Sequence, residues 1–162
     1  MVEMSQSIAS YIRKTGLVAA MANVVINPAL AWLLNRQMAG MTLNSIVTDT
    51  AVTSVVLSLA VSLCITSGVH RDLKAGRIKI ADPSPRAGLL LFRLPRRGWA
   101  LGLMLGIGVA VVLAPLTFWL FHLFGFDSLT FTAFALFKVT YTAPLAYIVT
   151  RWVILRQLLP VA

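Results

Sequence analysis

An all-α integral membrane protein, built as a compact bundle of four transmembrane helices, is the fold class this sequence predicts, and three observations predict it. Of the 162 residues, 59% are hydrophobic and only 12% are charged, and the mean hydropathy is +0.86. An average soluble domain carries about twice that share of charge. Four apolar runs lie at about 16–34, 46–69, 99–123 and 129–155, each near the roughly 20 residues that cross a bilayer core. The basic residues, finally, crowd one segment between the second and third runs. The spans occupy most of the chain, so 1–162 reads as a single transmembrane domain.

The first run follows Arg13 and Lys14, which resembles the start of a secretory signal. It is longer than a signal core and contains Asn23, Asn27 and Pro28, and no small-residue cleavage site follows. It is therefore a span. The second run carries Thr50, Ser54, Ser58, Ser62 and Thr66 at four-residue spacing, and Cys64, which is expected to be a small buried residue. A basic loop follows at about 70–98. Asp82-Pro83-Ser84-Pro85 breaks any helix there, and 88–92 is apolar enough to dip into the interface.

The third run carries Gly98, Gly102, Gly106, Ala110 and Ala114, again four apart. Lipid gives helices no hydrophobic reason to associate, so close approach of small faces and interhelical hydrogen bonds must hold them. Ser54, Ser58 and Ser62 against Gly102, Gly106 and Ala110 are the expected packing faces. The fourth run places one ammonium group, Lys138, inside an otherwise apolar stretch.

Charge sets the expected topology. The loop at about 70–98 holds eight Lys and Arg against two Asp, which accounts for six of the nine net positive charges. Both termini and this loop should then face the cytoplasm, in a multi-pass protein of the inner (plasma) membrane. Arg71, Lys74, Arg77, Lys79, Arg93, Arg96 and Arg97 are expected to contact anionic headgroups. Cations placed at a membrane surface serve topology, and no nucleic-acid partner is expected.

A faint internal repeat is present. The first span ends with Pro28, Trp32, Leu33 and Asn35, and the third with Pro115, Trp119, Leu120 and His122, both in the pattern P-x-x-x-W-L-x-[NH]. Two tandem αα-hairpins in parallel orientation would produce it; so would chance placement of Pro and Trp near span ends. In the repeat reading Asp49 and Lys138 are counterparts, each followed four residues later by a threonine, Thr53 and Thr142.

A lysine at a span centre costs about 2.5–3.5 kcal/mol on insertion scales, so it comes with a partner or a task. Counted from the expected span starts, Lys138 lies about 13 Å deep, Asn27 about 10 Å and Asp49 about 5 Å. A lysine stem can close much of that gap. The candidate substrate- or ion-binding residues are therefore Asp49, Lys138, Asn27, Thr53, Tyr141 and Thr142.

The sequence contains no H-E-x-x-H, G-x-S-x-G, P-loop or C-x-x-C, and its two histidines flank different ends of spans. No enzyme activity, cofactor or metal is expected. The function expected is a transporter or channel-like protein for a small or charged solute, acting as an oligomer. The rival is a non-catalytic subunit or assembly factor of a larger membrane complex.

Overall fold

The computed structural model describes residues 2–35, 40–78 and 94–158. Helix α1 spans Val2–Asn35, α2 Leu43–Lys74, α3 Gly98–Leu123 and α4 Phe131–Leu158. All four are long and apolar enough to cross a membrane. Lys79, Arg86, Arg93 and the expected interfacial dip at 88–92 lie outside the described residues.

Local chemistry sets the helix ends. Thr42 is extended before α2 and accepts from the Ser45 amide at 3.5 Å, and Thr130 accepts in the same way from the Ala133 amide at 3.4 Å before α4. These are threonine N-caps, which satisfy amides that the first turn leaves open. Helix α3 stops at Gly125, whose φ of +69° suits a residue without a Cβ. The Phe126 amide then reaches back to the Phe121 carbonyl at 2.9 Å, closing a Schellman turn.

Two elements escaped the sequence reading: β1, Met41–Thr42, and β2, Ser128–Leu129, pair antiparallel as Met41 with Leu129 and Thr42 with Ser128. This clasp joins the two loops at the end opposite the basic segment. It brings the N-termini of α2 and α4 side by side.

Helix boundaries differ from those expected in an instructive way. Helix α1 runs on through Arg13 and Lys14, both exposed, because nothing in 2–15 breaks a helix once the apolar part has formed one. Helix α2 begins at 43 rather than 46, and α4 at 131 rather than 129. Cys64 is exposed, not buried. The buried Ser58 and Ser62 fix the local phase of α2, and residue 64, two positions past Ser62, lies about 200° further round a helix with 3.6 residues per turn.

Packing is most extensive between α2 and α3, then between α1 and α4, then between α2 and α4, whereas α3 and α4 touch sparsely. The helices are thus ordered α3, α2, α4, α1, with the α2–α4 contact at the centre. The α2–α3 seam is the Ser and Gly faces in register. A Cβ on Gly102 would sit 2.7 Å from Ser62 Cβ and 2.9 Å from Leu59 Cα, and one on Gly106 would sit 2.8 Å from Val55 Cα. Ser62 Oγ also donates to the Gly98 carbonyl at 2.7 Å. Backbones this close gain dispersion and one interhelical hydrogen bond, the two attractions available in lipid. On the other flank, Gly16 of α1 lies against the Tyr147 ring of α4.

Outside these seams much of the surface along the helix middles is apolar. Val18, Met21 and Val25 on α1 and Ile107, Val111 and Val112 on α3 are exposed, as lipid-facing side chains would be. Trp32 and Trp119, at one end, and Trp99, at the other, are also exposed, the placement of an interfacial aromatic belt.

Candidate functional site

Lys138 and Asp49 meet at the α2–α4 contact. Lys138 Nζ donates to Asp49 Oδ1 at 2.8 Å. The lysine side chain is 5% exposed and the aspartate 21%, so the carboxylate marks the open side of the pair. The two stand at nearly one depth: Asp49 is six residues into α2 and Lys138 seven into α4, a difference of about 1.5 Å. The larger offset expected from the sequence came from misplacing both helix starts, and the β1–β2 clasp levels them.

Each member is held by its own helix. Thr53 Oγ1 donates to Asp49 Oδ2 at 3.3 Å, occupying the oxygen that the lysine leaves. Thr142 Oγ1 donates to the Lys138 carbonyl at 2.7 Å, so it touches the lysine backbone and not its ammonium. One turn earlier, the Phe134 ring lies 5.5 Å from Nζ. An ammonium against an aromatic face recovers part of the hydration it has lost. Phe134 was missed in the sequence, although its position four before Lys138 on the buried face could have found it.

Tyr141 completes the wall. Its hydroxyl neighbours Thr50 and Thr53 and the Asp49 carboxylate, yet it is buried without a well-formed hydrogen bond. The nearby hydroxyls donate elsewhere, Thr50 to the Ile46 carbonyl at 2.8 Å and Thr53 to Asp49, which leaves their oxygens as acceptors. Asn27 stands apart from this group in its hydrogen bonding. Its amide donates to Asn23 Oδ1 at 2.8 Å and Asn23 donates to the Ala19 carbonyl. The two asparagines thus ladder along α1, because a four-residue spacing lets one amide satisfy the next.

The cluster can hold charge of both signs in a shielded setting. It is compact, and one oxygen and one ammonium already neutralise each other. A separate cleft of about 650 Å³ opens between α3 and α4, lined almost entirely by apolar side chains such as Leu105, Val109, Leu145 and Ile148, with Tyr141 on its wall. It follows from the sparse α3–α4 contact.

At the basic end, Arg71, Lys74, Arg96 and Arg97 are exposed, while Arg77 bridges Asp72 at 3.0 Å and Tyr11 donates to the same carboxylate at 2.8 Å. Lys79 and Arg93 belong to the residues outside those described. Two further polar residues, Arg156 and Gln157, are buried here. They donate to the Leu94 and Arg96 carbonyls at 2.8 and 3.0 Å, tying the end of α4 to the turn before α3. Neither residue is among those the sequence singles out. Comparison with known proteins finds no matching family model, no matching curated protein and no matching solved structure.

Proposed function

We propose that this chain is a multi-pass protein of the inner membrane, both termini and the basic segment cytoplasmic, that moves a small charged solute as an oligomer. The observation that carries the reading is the buried Lys138–Asp49 pair. An ionisable pair at membrane depth defaults to a functional site, and here an under-bonded tyrosine hydroxyl and a partly open carboxylate accompany it. The orientation rests on the excess of Lys and Arg between α2 and α3. Those same cations are suited to anionic headgroups.

The architecture is read as two tandem hairpins, α1–α2 and α3–α4, related by a pseudo-twofold axis along the membrane normal. Exchanging the hairpins turns the α2–α3 contact into the α4–α1 contact and leaves α2–α4 in place, which matches the packing order. Counting from the caps Thr42 and Thr130, the buried positions coincide pairwise: Ile46 with Phe134, Ser54 with Thr142, Leu57 with Leu145, Ser62 with Thr150. In this register Lys138 corresponds to Thr50, so Asp49 is its partner and not its counterpart.

A second reading, a non-catalytic subunit of a larger complex, is favoured by the lining of the α3–α4 cleft. That cleft is apolar, the wrong surface for a charged solute and a suitable one for a neighbouring helix. Solid-supported-membrane recordings on proteoliposomes separate the two, with alkali cations, small organic cations and small carboxylates as probes. The transport reading expects transient currents with at least one class, lost in the Asp49→Asn/Lys138→Met double variant. Silence toward all three classes, together with a stoichiometric partner after mild-detergent purification, would overturn it.

A further inference from the structure

The Lys138–Asp49 pair is open mainly at its acidic member. Asp49 is the one carboxylate inside an apolar run, and its side chain is 21% exposed against 5% for Lys138. The ammonium is closed off by Asp49 Oδ1 at 2.8 Å and by the Phe134 ring. A solute that approaches the pair therefore meets a carboxylate first.

The hydroxyls around that carboxylate have the same polarity. Thr53 donates to Asp49 Oδ2 and Thr50 to the Ile46 carbonyl, so both hydrogens are spent and both oxygens keep lone pairs. The Tyr141 hydroxyl neighbours the two threonines and the carboxylate, yet it is buried without a well-formed hydrogen bond. Buried polar atoms are normally partnered, so this oxygen has a coordination place to fill. Within the group the phenol proton is the one spare donor, against acceptors on all four side chains. Oxygens gathered around a carboxylate suit a hard or hydrogen-bonding cation and offer little to an anion.

One carboxylate balances one positive charge, and in the structure Lys138 supplies it. A divalent ion would leave excess charge where screening is poor. Lys138 is seven residues into α4, about 10 Å from the start of the helix. A flexible lysine stem at that depth can carry its ammonium outward to the interface.

We propose that Asp49, Thr50, Thr53 and Tyr141 form a site for a small monovalent cation, and that Lys138 is its tethered occupant, released outward when a free cation takes the carboxylate. The site rests on the reading of this pair as the place where a solute binds, and it sets the sign of the charge that is carried. Exchanging one positive charge for another keeps Asp49 paired throughout.

The test uses the full chain in detergent at fixed ionic strength, with tetramethylammonium chloride replaced stepwise by ammonium, methylammonium, potassium or sodium chloride and the melting temperature as the readout. At least one of these cations should stabilise the wild type saturably, and the responding members assign an ammonium-type or an alkali cation. Lys138→Met removes a competitor held at high local concentration, so the half-saturating concentration should fall about tenfold. The Asp49→Asn/Lys138→Met double variant should respond to none, and exchange of chloride for acetate should not stabilise the protein. A wild type that no small cation stabilises overturns the site, as does an unchanged half-saturating concentration in Lys138→Met, an equal response of the double variant, or stabilisation by acetate alone. If Lys138→Met does not fold, Thr53→Val decides. It keeps the pair and removes one oxygen, so weakened cation binding supports the site and unchanged binding overturns it. Saturable cation binding without current in proteoliposomes would end the transport reading and leave the site standing, and currents carried by carboxylates alone would do the reverse.

Discussion

Breaking the Lys138–Asp49 pair should cost most when the lysine is the orphan. The perturbations are Asp49→Ala, Lys138→Met and the double variant. Removing one member of a buried pair typically costs about 3–5 kcal/mol, because the survivor keeps its desolvation penalty without its partner. The two survivors differ here. Lys138 is 5% exposed and, among the described residues, its ammonium bonds to Asp49, so Asp49→Ala belongs at the upper end, with the Phe134 face as the described contact that remains. Asp49 is 21% exposed and keeps the Thr53 hydroxyl, so Lys138→Met should cost about 1–2 kcal/mol less, roughly one hydrogen bond to a charged group. The double variant leaves no orphan, and the coupling between the sites should reach about 2–3 kcal/mol. Equilibrium unfolding in mixed micelles measures all four corners of the cycle. Additive losses, or a larger cost for Lys138→Met than for Asp49→Ala, would refute the reasoning.

Three other outcomes are expected. Gly102→Ala should destabilise by about 1–3 kcal/mol through overpacking, since its Cβ would meet Ser62 and Leu59 below 3 Å, whereas Gly108→Ala, with open space at its Cβ, should be neutral or slightly stabilising; thermal unfolding in detergent compares them. Tyr141→Phe should change stability by less than about 1 kcal/mol, because the hydroxyl it removes makes no good hydrogen bond, so any loss of solute-dependent current in that variant would report function. In a Cys64→Ser background, a cysteine at Gly125 should react with an impermeant thiol reagent in intact cells and one at Ser84 should not, following the excess of cations between α2 and α3; the reverse pattern inverts the topology.

Much of this molecule was legible in its sequence because the bilayer imposes simple lengths. Four apolar runs translate directly into four long helices, and two small-residue stripes four apart translate into the α2–α3 seam. Lys138 and Asp49 could be paired because charges inside apolar runs are few. What failed was what needs coordinates in three dimensions. Two-residue strands have no periodicity to detect, so the β1–β2 clasp was invisible, and with it the common depth of the pair. Cys64 is a different case: Ser58 and Ser62 set the local helix phase, and that phase turns residue 64 outward. Arg156 was passed over because a cation at the end of a span ordinarily snorkels to water, and only its bond to the Leu94 carbonyl reveals the burial.

The order in which the helices pack has a consequence for biogenesis. A chain made from its N-terminus delivers α1 to the membrane first, yet the principal partner of α1 is α4, the helix delivered last. Until α4 arrives, the Gly16 face of α1 has no Tyr147 to receive it, and Asp49 has no ammonium. Helices α2 and α3 can zip together as soon as both are inserted, since their seam needs nothing beyond residue 123. Assembly is therefore expected to run from the middle of the chain outward and to finish by docking its two ends together. A product that stops before Phe131 would leave a bare carboxylate and an unpaired small-residue face in lipid, the kind of surface that membrane quality control can distinguish from a finished fold.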